Sequence, residues 1–306
     1  MKKEIWILYD QTDYERNKTF VKMLCEEIER ASRQKMKHSA SGLPGAECFS
    51  DGLEGKLILV EALSVGIIGR EPVLFYEGER VEKPAMVIAR TRDFRLSRML
   101  ERMRIKVCNS SYVCEVCNDK AVTYQVVAEL GIPVMETYFD EAGMKRLEYP
   151  YVVKSVDGHG GTEVFLVKND VEEKQYLQQL KDHRFVVQRL ASDTGIDVRV
   201  YVCGGKIIQA MKRQSKKDFR SNFCLGGEAS IYEMDEKMIS YVEKLQEHFQ
   251  FDYAGIDFIF DHGEPVFNEI EDVVGARMLY THTDIDILKI YVDYLLKNCA
   301  ITAQLT

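Results

Sequence analysis

Asp257, Glu269 and Glu271 are the residues whose types and spacing bear most directly on chemistry. Successive side chains of a strand alternate sides, so Glu269 and Glu271 share a face. The stretch from Asp257 to Glu271 reads as a hairpin. A three-residue loop of His262, Gly263 and Glu264 pairs Asp261 with Pro265 and, counting outward, sets Asp257 opposite Glu269. Like charges directly opposite each other destabilise a strand pair, and half-burying them adds a desolvation cost. Three carboxylates on one face therefore call for a positive partner. Hard oxygen donors suit magnesium, which is commonly held by one or two carboxylates together with substrate phosphates.

A phosphate site would complete that reading, and two segments offer one. Lys154 ends an apolar strand and runs into Ser155-Val156-Asp157-Gly158-His159-Gly160-Gly161, whose small residues let backbone N–H groups approach a phosphate while the lysine supplies charge. It is not a Walker A loop, because the GK[ST] ending is absent. Left to itself, such a segment also suits a mobile hairpin loop with a solvated lysine. The second segment, Arg213 to Asn222, carries Arg213, Lys216, Lys217 and Arg220 and leads to Gly226-Gly227. A charge run is ordinarily a solvated loop; beside a triphosphate, Arg213 is suited to stabilising charge developing in a transition state, and Arg220 and Asn222 to phosphate contacts. Asp197 and Arg199, two apart on one strand face, read either as a structural ion pair or as an acidic group near a ribose. Gln188 closes the apolar run Phe185-Val186-Val187, where strand-end groups meet an adenine edge in one reading. His159 reads as a loop residue, since no nucleophile pairs with it by motif.

The elements that must position these residues alternate along the first hundred residues: strand at Glu4–Tyr9, helix at Asp13–Ser32, short strands at Lys56–Val60 and Ala85–Ala89, helix at Arg95–Arg104 and strand at Ile105–Cys108. Lys37–Gly55, rich in Ser and Gly, reads as a surface loop. A helix from Lys120 to Leu130 stops at Gly131 with Pro133 beyond. Strands follow at Tyr151–Lys154, Glu163–Lys168 and Phe185–Gln188, with a helix at Val171–Leu180. Strands Asp197–Cys203 and Lys206–Met211 are joined by Gly204-Gly205, a strong hairpin signal. Met238, Tyr241, Val242, Leu245 and Phe249 stripe a long helix before the acidic hairpin, and a last helix covers Ile285–Leu296.

With 306 residues and 46% hydrophobic content the chain can bury a substantial core. A net charge of −8 argues against a general nucleic-acid binder. No apolar run approaches the roughly 20 residues that span a bilayer, and Met1–Ile7 lacks a signal-peptide pattern; the expected location is cytoplasmic, with neither membrane nor nucleic acid as partner. Eight cysteines without a scaffold spacing fit reduced thiols. Cys108, Cys114 and Cys117 cluster, but zinc would want a fourth ligand that the local sequence does not offer, so they read as packing residues.

Taken in order, Asp119-Lys120, Lys154 with its GHGG loop, Gln188, Asp197-Val198-Arg199, Arg213, Asp218-Phe219-Arg220-Ser221-Asn222, Gly226-Gly227, Ala254-Gly255-Ile256-Asp257 and Glu269-Ile270-Glu271 resemble the ATP-grasp superfamily, and within it the RimK-type α-L-glutamate ligases. The resemblance implies a mixed α/β and α+β fold: an N-terminal α/β pre-ATP-grasp domain over 1–112, a central lobe with a glycine-rich flap over 113–188, and a C-terminal lobe with the metal site over 189–306. ATP would lie sandwiched between the two α+β lobes. Lys120 and Lys154, with Gly158, Gly160 and Gly161, would meet its phosphates, Gln188 and Arg189 its adenine, and Asp197 its ribose. Arg220, Ser221 and Asn222 would complete the nucleotide site. Asp257, Glu269 and Glu271 would hold magnesium, with manganese as the alternative ion.

The implied reaction activates a carboxylate as an acylphosphate, which an amine attacks to give an amide or peptide bond, ADP and phosphate. Lys154 and Arg213 are the implied catalytic residues, the substrate an amino acid or peptide, and a homo-oligomer compatible. Arg90, Arg92 and Arg277 are candidates for gripping substrate carboxylates. One departure stands out: where the family pattern has Asn two residues after the metal-binding Glu and commonly a Ser-Pro-Gly turn, this chain has Glu271-Asp272-Val273-Val274-Gly275. That adds a negative charge and leaves glutamate as substrate open. A small-molecule kinase and a non-catalytic nucleotide-binding module are the other readings.

Overall fold

The structure, a computed structural model, describes residues 2–39, 52–158, 163–215, 218–220 and 228–302. Gly160, Gly161, Ser221 and Asn222, together with His159 and Gly226-Gly227, lie outside the described residues. The chain forms two compact units: Met1–Cys114 with Phe251–Tyr253 and Ile285–Thr306, and Glu115–Gln250 with Ala254–Asp284. The expected three-part division differs from this: its boundary at residue 188 falls inside the second unit, and the last helix belongs to the first.

In the first unit, β1 (Lys3–Tyr9) leads through α1 (Gln11–Ser39) to β2 (Leu53–Leu59). β3 (Leu63–Ile68), β4 (Glu71–Tyr76) and β5 (Glu79–Val81) form a separate antiparallel meander. β6 (Met86–Ala89), α2 (Phe94–Arg102) and β7 (Val107–Cys108) follow, and α3 (Ser111–Cys117) leaves the unit. β2, β1, β6 and β7 lie in that order in a parallel sheet, which requires crossover connections. Ile5 to Tyr9 of β1 have no exposed surface, as expected of a strand flanked on both sides. Residues 40–51 of the expected Lys37–Gly55 loop lie outside the described residues, and its ends belong to other elements: α1 runs to Ser39 and β2 begins at Leu53. The meander was not anticipated; its β4–β5 turn places Glu77 and Gly78 at φ 53° and 84°, a two-residue geometry that a Glu-Gly pair signals only weakly. Cys108, Cys114 and Cys117 are buried free thiols.

The second unit opens with α4 (Lys120–Glu129), capped by Asp119, whose carboxylate accepts from Val122 N. Gly131 follows at φ 71°, the left-handed stop its position suggested. β8 (Thr137–Tyr138), β9 (Tyr151–Ser155), β10 (Val164–Val167), α5 (Asp170–Gln179) and β11 (Phe185–Arg189) give an antiparallel sheet in the order β10-β9-β11-β8. β12 (Asp193–Cys203), β13 (Lys206–Gln214), β14 (Glu228–Tyr232), α6 (Glu236–Phe249), β15 (Tyr253–Asp261), β16 (Glu264–Glu271) and α7 (Arg277–His282) complete it, with sheet order β14-β13-β12-β15-β16. α8 (Ile287–Thr302) returns to the first unit and packs on α1.

The acidic hairpin reaches the expected pairing by a different route. Its turn has two residues, His262 and Gly263 at φ 53° and 79°, so Asp261 faces Glu264 and Phe258 faces Phe267. The register then shifts, leaving Asn268 as the extra residue of a β-bulge, and Asp257 faces Glu269 after all. The shorter loop and the bulge offset each other in the count.

α6 turns Met238, Val242, Leu245 and Phe249 into the core, while Asp235 caps it by accepting from Met238 N at 2.7 Å. Leu245 has no exposed surface. Leu245→Ala is expected to cost about 2–5 kcal/mol in denaturant unfolding; a loss below about 1 kcal/mol would mean that this helix is not packed as described.

Candidate nucleotide and metal site

Two lysines reach one cleft from different elements of the second unit. Lys120, at the first position of α4, is docked by its backbone N–H, which donates to Val156 O at 3.1 Å. Its ammonium donates to Gly158 O at 2.5 Å and lies 3.3 Å from Glu269 Oε1. Lys154 is a β9 side chain only 8% exposed. It donates to Gln188 Oε1 at 2.8 Å, Asn268 Oδ1 at 3.0 Å and Tyr124 OH at 3.3 Å. All three acceptors are uncharged. Burial lowers the Lys154 ammonium to about 8, and the Glu269 charge only partly opposes it. The cleft wall carries apolar Val152, Val164, Leu190 and Ile259 beside these lysines, with Gly158, Gln188, Arg189, Asp197, Arg220 and Glu269. A cleft that sets apolar side chains beside buried cations fits a base with attached phosphates.

The second constellation crosses the larger sheet. Arg213 lies opposite Asp197 in the β12–β13 ladder, and its Nε and NH2 donate to the two Asp197 oxygens at 2.5 and 2.6 Å. The same NH2 donates to Asp257 Oδ2 at 2.7 Å. Arg199 donates from Nε and NH2 to both Asp257 oxygens at 2.7 Å, and its NH1 contacts Glu271 Oε2. Burial would raise the Asp257 carboxyl, but Arg199 and Arg213 outweigh it and hold it down to about 2. Burial likewise works against the charge of Arg213, and Asp257 and Asp197 keep it firmly protonated. Arg213 is 4% exposed, so the solvated-loop reading of its segment fails at this position: β13 extends to Gln214 and carries the arginine inward. The Asp197–Arg199 ion pair is also corrected, since each finds its partner on a neighbouring strand.

The positive partner that the hairpin required is thus supplied first by the chain itself. The donor set still suits a hard cation: Asp257, Glu269 and Glu271 share a face, and the side chains of Glu269 and Glu271 are 32% and 35% exposed. Gly255, opposite Glu271, leaves room for Arg199, since a Cβ there would stand 3.2 Å from Arg199 Cδ and 2.8 Å from Val274 Cγ2.

Other sequence candidates fall into distinct settings. Gln188 is 2% exposed; besides accepting from Lys154, its amide donates to Thr137 Oγ1 at 2.9 Å. Arg189 pairs with Asp261 at 2.5 Å, tying the end of β11 to the hairpin end. Arg220 pairs with Asp218 at 2.7 Å. Arg90 and Arg92 belong to the first unit: Arg90 is buried, donating to Tyr9 OH at 3.2 Å and covering the Phe20 ring at 4.9 Å, while Arg92 pairs with Asp13 at 3.0 Å. Arg277 is exposed at the start of α7. Asn268, Tyr124 and Arg199 were missed as site residues. Only the bulge brings Asn268 to Lys154, and Tyr124 was hidden by being an ordinary apolar-face position of α4.

The family model described as RimK-like ATP-grasp domain matches residues 117–295. A probable alpha-L-glutamate ligase of Maridesulfovibrio salexigens is 27% identical over 284 residues, covering 87% of this chain and 94% of the relative. A glutamate–LysW ligase of Sulfurisphaera tokodaii is 29% identical over 219 residues, covering 66% and 77%. Among solved structures, the D-Ala:D-Ser ligase VanG of Enterococcus faecalis shares the fold with a TM-score of 0.68 at 18% identity, covering 98% of this chain and all of that one. No helix among the described residues is long and apolar enough to cross a membrane.

Because the folded-state value of Lys154 lies near 8 and its ordinary value is 10.5, the unfolded chain holds a proton in that window that the folded chain has released. Stability from this group therefore rises with pH between the two values, by at most about 1.4 kcal/mol per pH unit. Lys154→Met removes the group, so the stability difference between wild type and variant should shift in favour of wild type from about pH 8 to about pH 10 in denaturant unfolding. A pH-independent difference would show that the amine is not desolvated.

Proposed function

The chain belongs to the RimK-like ATP-grasp family of ligases, and on that premise we propose that it is an ATP- and magnesium-dependent carboxylate-amine ligase acting on an amino acid or peptide, in the cytoplasm where ATP is supplied. The observation that carries the reading is Lys154: a buried ammonium, hydrogen-bonded among the described residues to uncharged acceptors, in a cleft that apolar side chains also line. Such a cation is ready for an anionic ligand. The amino-acid substrates named for the relatives, glutamate for one and D-Ala and D-Ser for another, support the substrate class.

In this reading Lys120 and Lys154 take the ATP phosphates, with Gly158, Gly160 and Gly161 bringing backbone N–H groups over them. Gln188 and Arg189 border the adenine; Arg220, Ser221 and Asn222 close the nucleotide site. Asp197 faces the ribose from the cleft wall while holding Arg213, which contributes its charge from behind. Asp257, Glu269 and Glu271 would hold magnesium, with manganese as the alternative, and the ion would supply charge neutralisation at the transferring phosphoryl group. A carboxylate oxygen of the substrate attacks the γ-phosphorus and the bond to ADP breaks. The amine nitrogen then attacks the carbonyl carbon, phosphate leaves and the nitrogen loses a proton. Position and charge neutralisation do most of the work, because an acylphosphate offers a stable leaving group where a carboxylate does not.

Incubation with ATP, magnesium and pools of amino acids and short peptides, followed by product mass together with ADP and phosphate, tests the proposal. A product lighter than its two substrates by one water, formed with equal ADP and phosphate, is expected. A phosphorylated product without free phosphate would make the protein a kinase, and no turnover with any pool would leave a binding module. Asp257→Asn should lower turnover at least about a hundredfold; unchanged turnover would remove Asp257 from the machinery.

A further inference from the structure

Among the described residues, the carboxylates gathered on the larger sheet share their contacting cations. Asp197 and Asp257 are met by Arg213, Asp257 and Glu271 by Arg199, and Glu269 by Lys120. Glu271 shares a guanidinium already bidentate on Asp257. That sharing is built into the backbone. Glu271 faces Gly255, and the room left by the missing side chain is where Arg199 lies, within 3.2 Å of where a Cβ would be.

We propose that Arg199 is a positioning residue, a shared counter-ion that spans Asp257 and Glu271, ties up one oxygen of Glu271, and so sets how strongly the carboxylate row attracts a divalent cation. The proposal rests on the metal reading given above. In this arrangement Glu271 can stand beside Asp257 without the repulsion that neighbouring like charges would otherwise bring, and it keeps its other oxygen for a cation. At this position the resemblance implies an amide, which would bring one oxygen and no charge; a carboxylate shared with a guanidinium approaches that condition.

The test is a double-mutant cycle on the full chain, using Arg199→Gln, Glu271→Gln and the double variant. Manganese is titrated without nucleotide, free ion being followed by electron paramagnetic resonance, and the denaturant midpoint is measured on the same samples. Arg199→Gln is expected to tighten manganese binding about tenfold and to lower the midpoint. In the Glu271→Gln background both effects should shrink, because one of the two stranded carboxylates is gone. Equal effects in the two backgrounds would overturn the proposal. If Arg199→Gln does not fold, Arg199→Lys replaces it: a single ammonium cannot span both carboxylates, so its manganese affinity should likewise depend on Glu271, and independence would again overturn the pairing. Should no variant, nor the wild type with ATP present, bind manganese or magnesium, the metal reading fails; the midpoints alone then decide whether Arg199 couples to Glu271.

Discussion

Asp257 is 2% exposed and accepts hydrogen bonds from two arginines carried by two other strands. A carboxylate in that position is tolerated only with excellent geometry on both oxygens, and removal of one partner from a buried ion pair is strongly destabilising. Much of the larger sheet answers to this constraint. β13 and β12 must lie side by side so that Arg213 reaches over Asp197, and β15 must follow so that Arg199 finds Asp257. A side chain at Gly255 would press on Val274 and on the Arg199 chain, its Cβ standing 2.8 Å from Val274 Cγ2 and 3.2 Å from Arg199 Cδ. The arginine and carboxylate groups thus fix one another before any ligand is considered, which is the preorganisation a charge-handling site requires.

The two lysines line the cleft from α4 and β9. Lys120 is anchored by the Gly158 carbonyl and the Glu269 carboxylate. Lys154 is surrounded by neutral oxygens and is driven below its ordinary range by burial. Lys120 thus has an anionic partner, whereas Lys154 donates to three neutral oxygens. The bulge at Asn268 makes that possible: the extra residue turns an amide oxygen toward the lysine without placing a second carboxylate there. The β16 edge is thereby shared between the two lysines, Asn268 serving one and Glu269 the other.

Glu271 sets a further carboxylate beside Asp257, and the two share the Arg199 guanidinium. An added negative charge beside a buried carboxylate would ordinarily be disfavoured; Arg199 absorbs it. The hairpin also shows how a correct pairing can be reached for the wrong reason. Counting from a three-residue loop put Asp257 opposite Glu269, whereas the chain uses the two-residue His262-Gly263 turn and recovers the pairing through the bulge. Turn length and bulge are both local choices of one residue, and a strand pattern with period two cannot distinguish their sum from zero.

Residue types and spacing by themselves determined the chemical inventory: Lys154 before a glycine-rich loop, the AGID and EIE segments, and the Gly204-Gly205 and Gly131 signals that set a hairpin and a helix end. These are local properties, fixed by backbone preference and side-chain alternation within a few residues. Which groups would touch was decided only by the tertiary structure. Arg199 stands two residues from Asp197 in the chain, yet its partners are 58 and 72 residues away, and Arg213 in a basic run is carried into the core. The meander at 63–81 and the return of α8 to the first unit were equally beyond local reading. Periodicity tells which face a side chain occupies, but not which strand lies beside it; that follows from burying the whole sheet at once, where each charge takes the partner that strand order brings within reach.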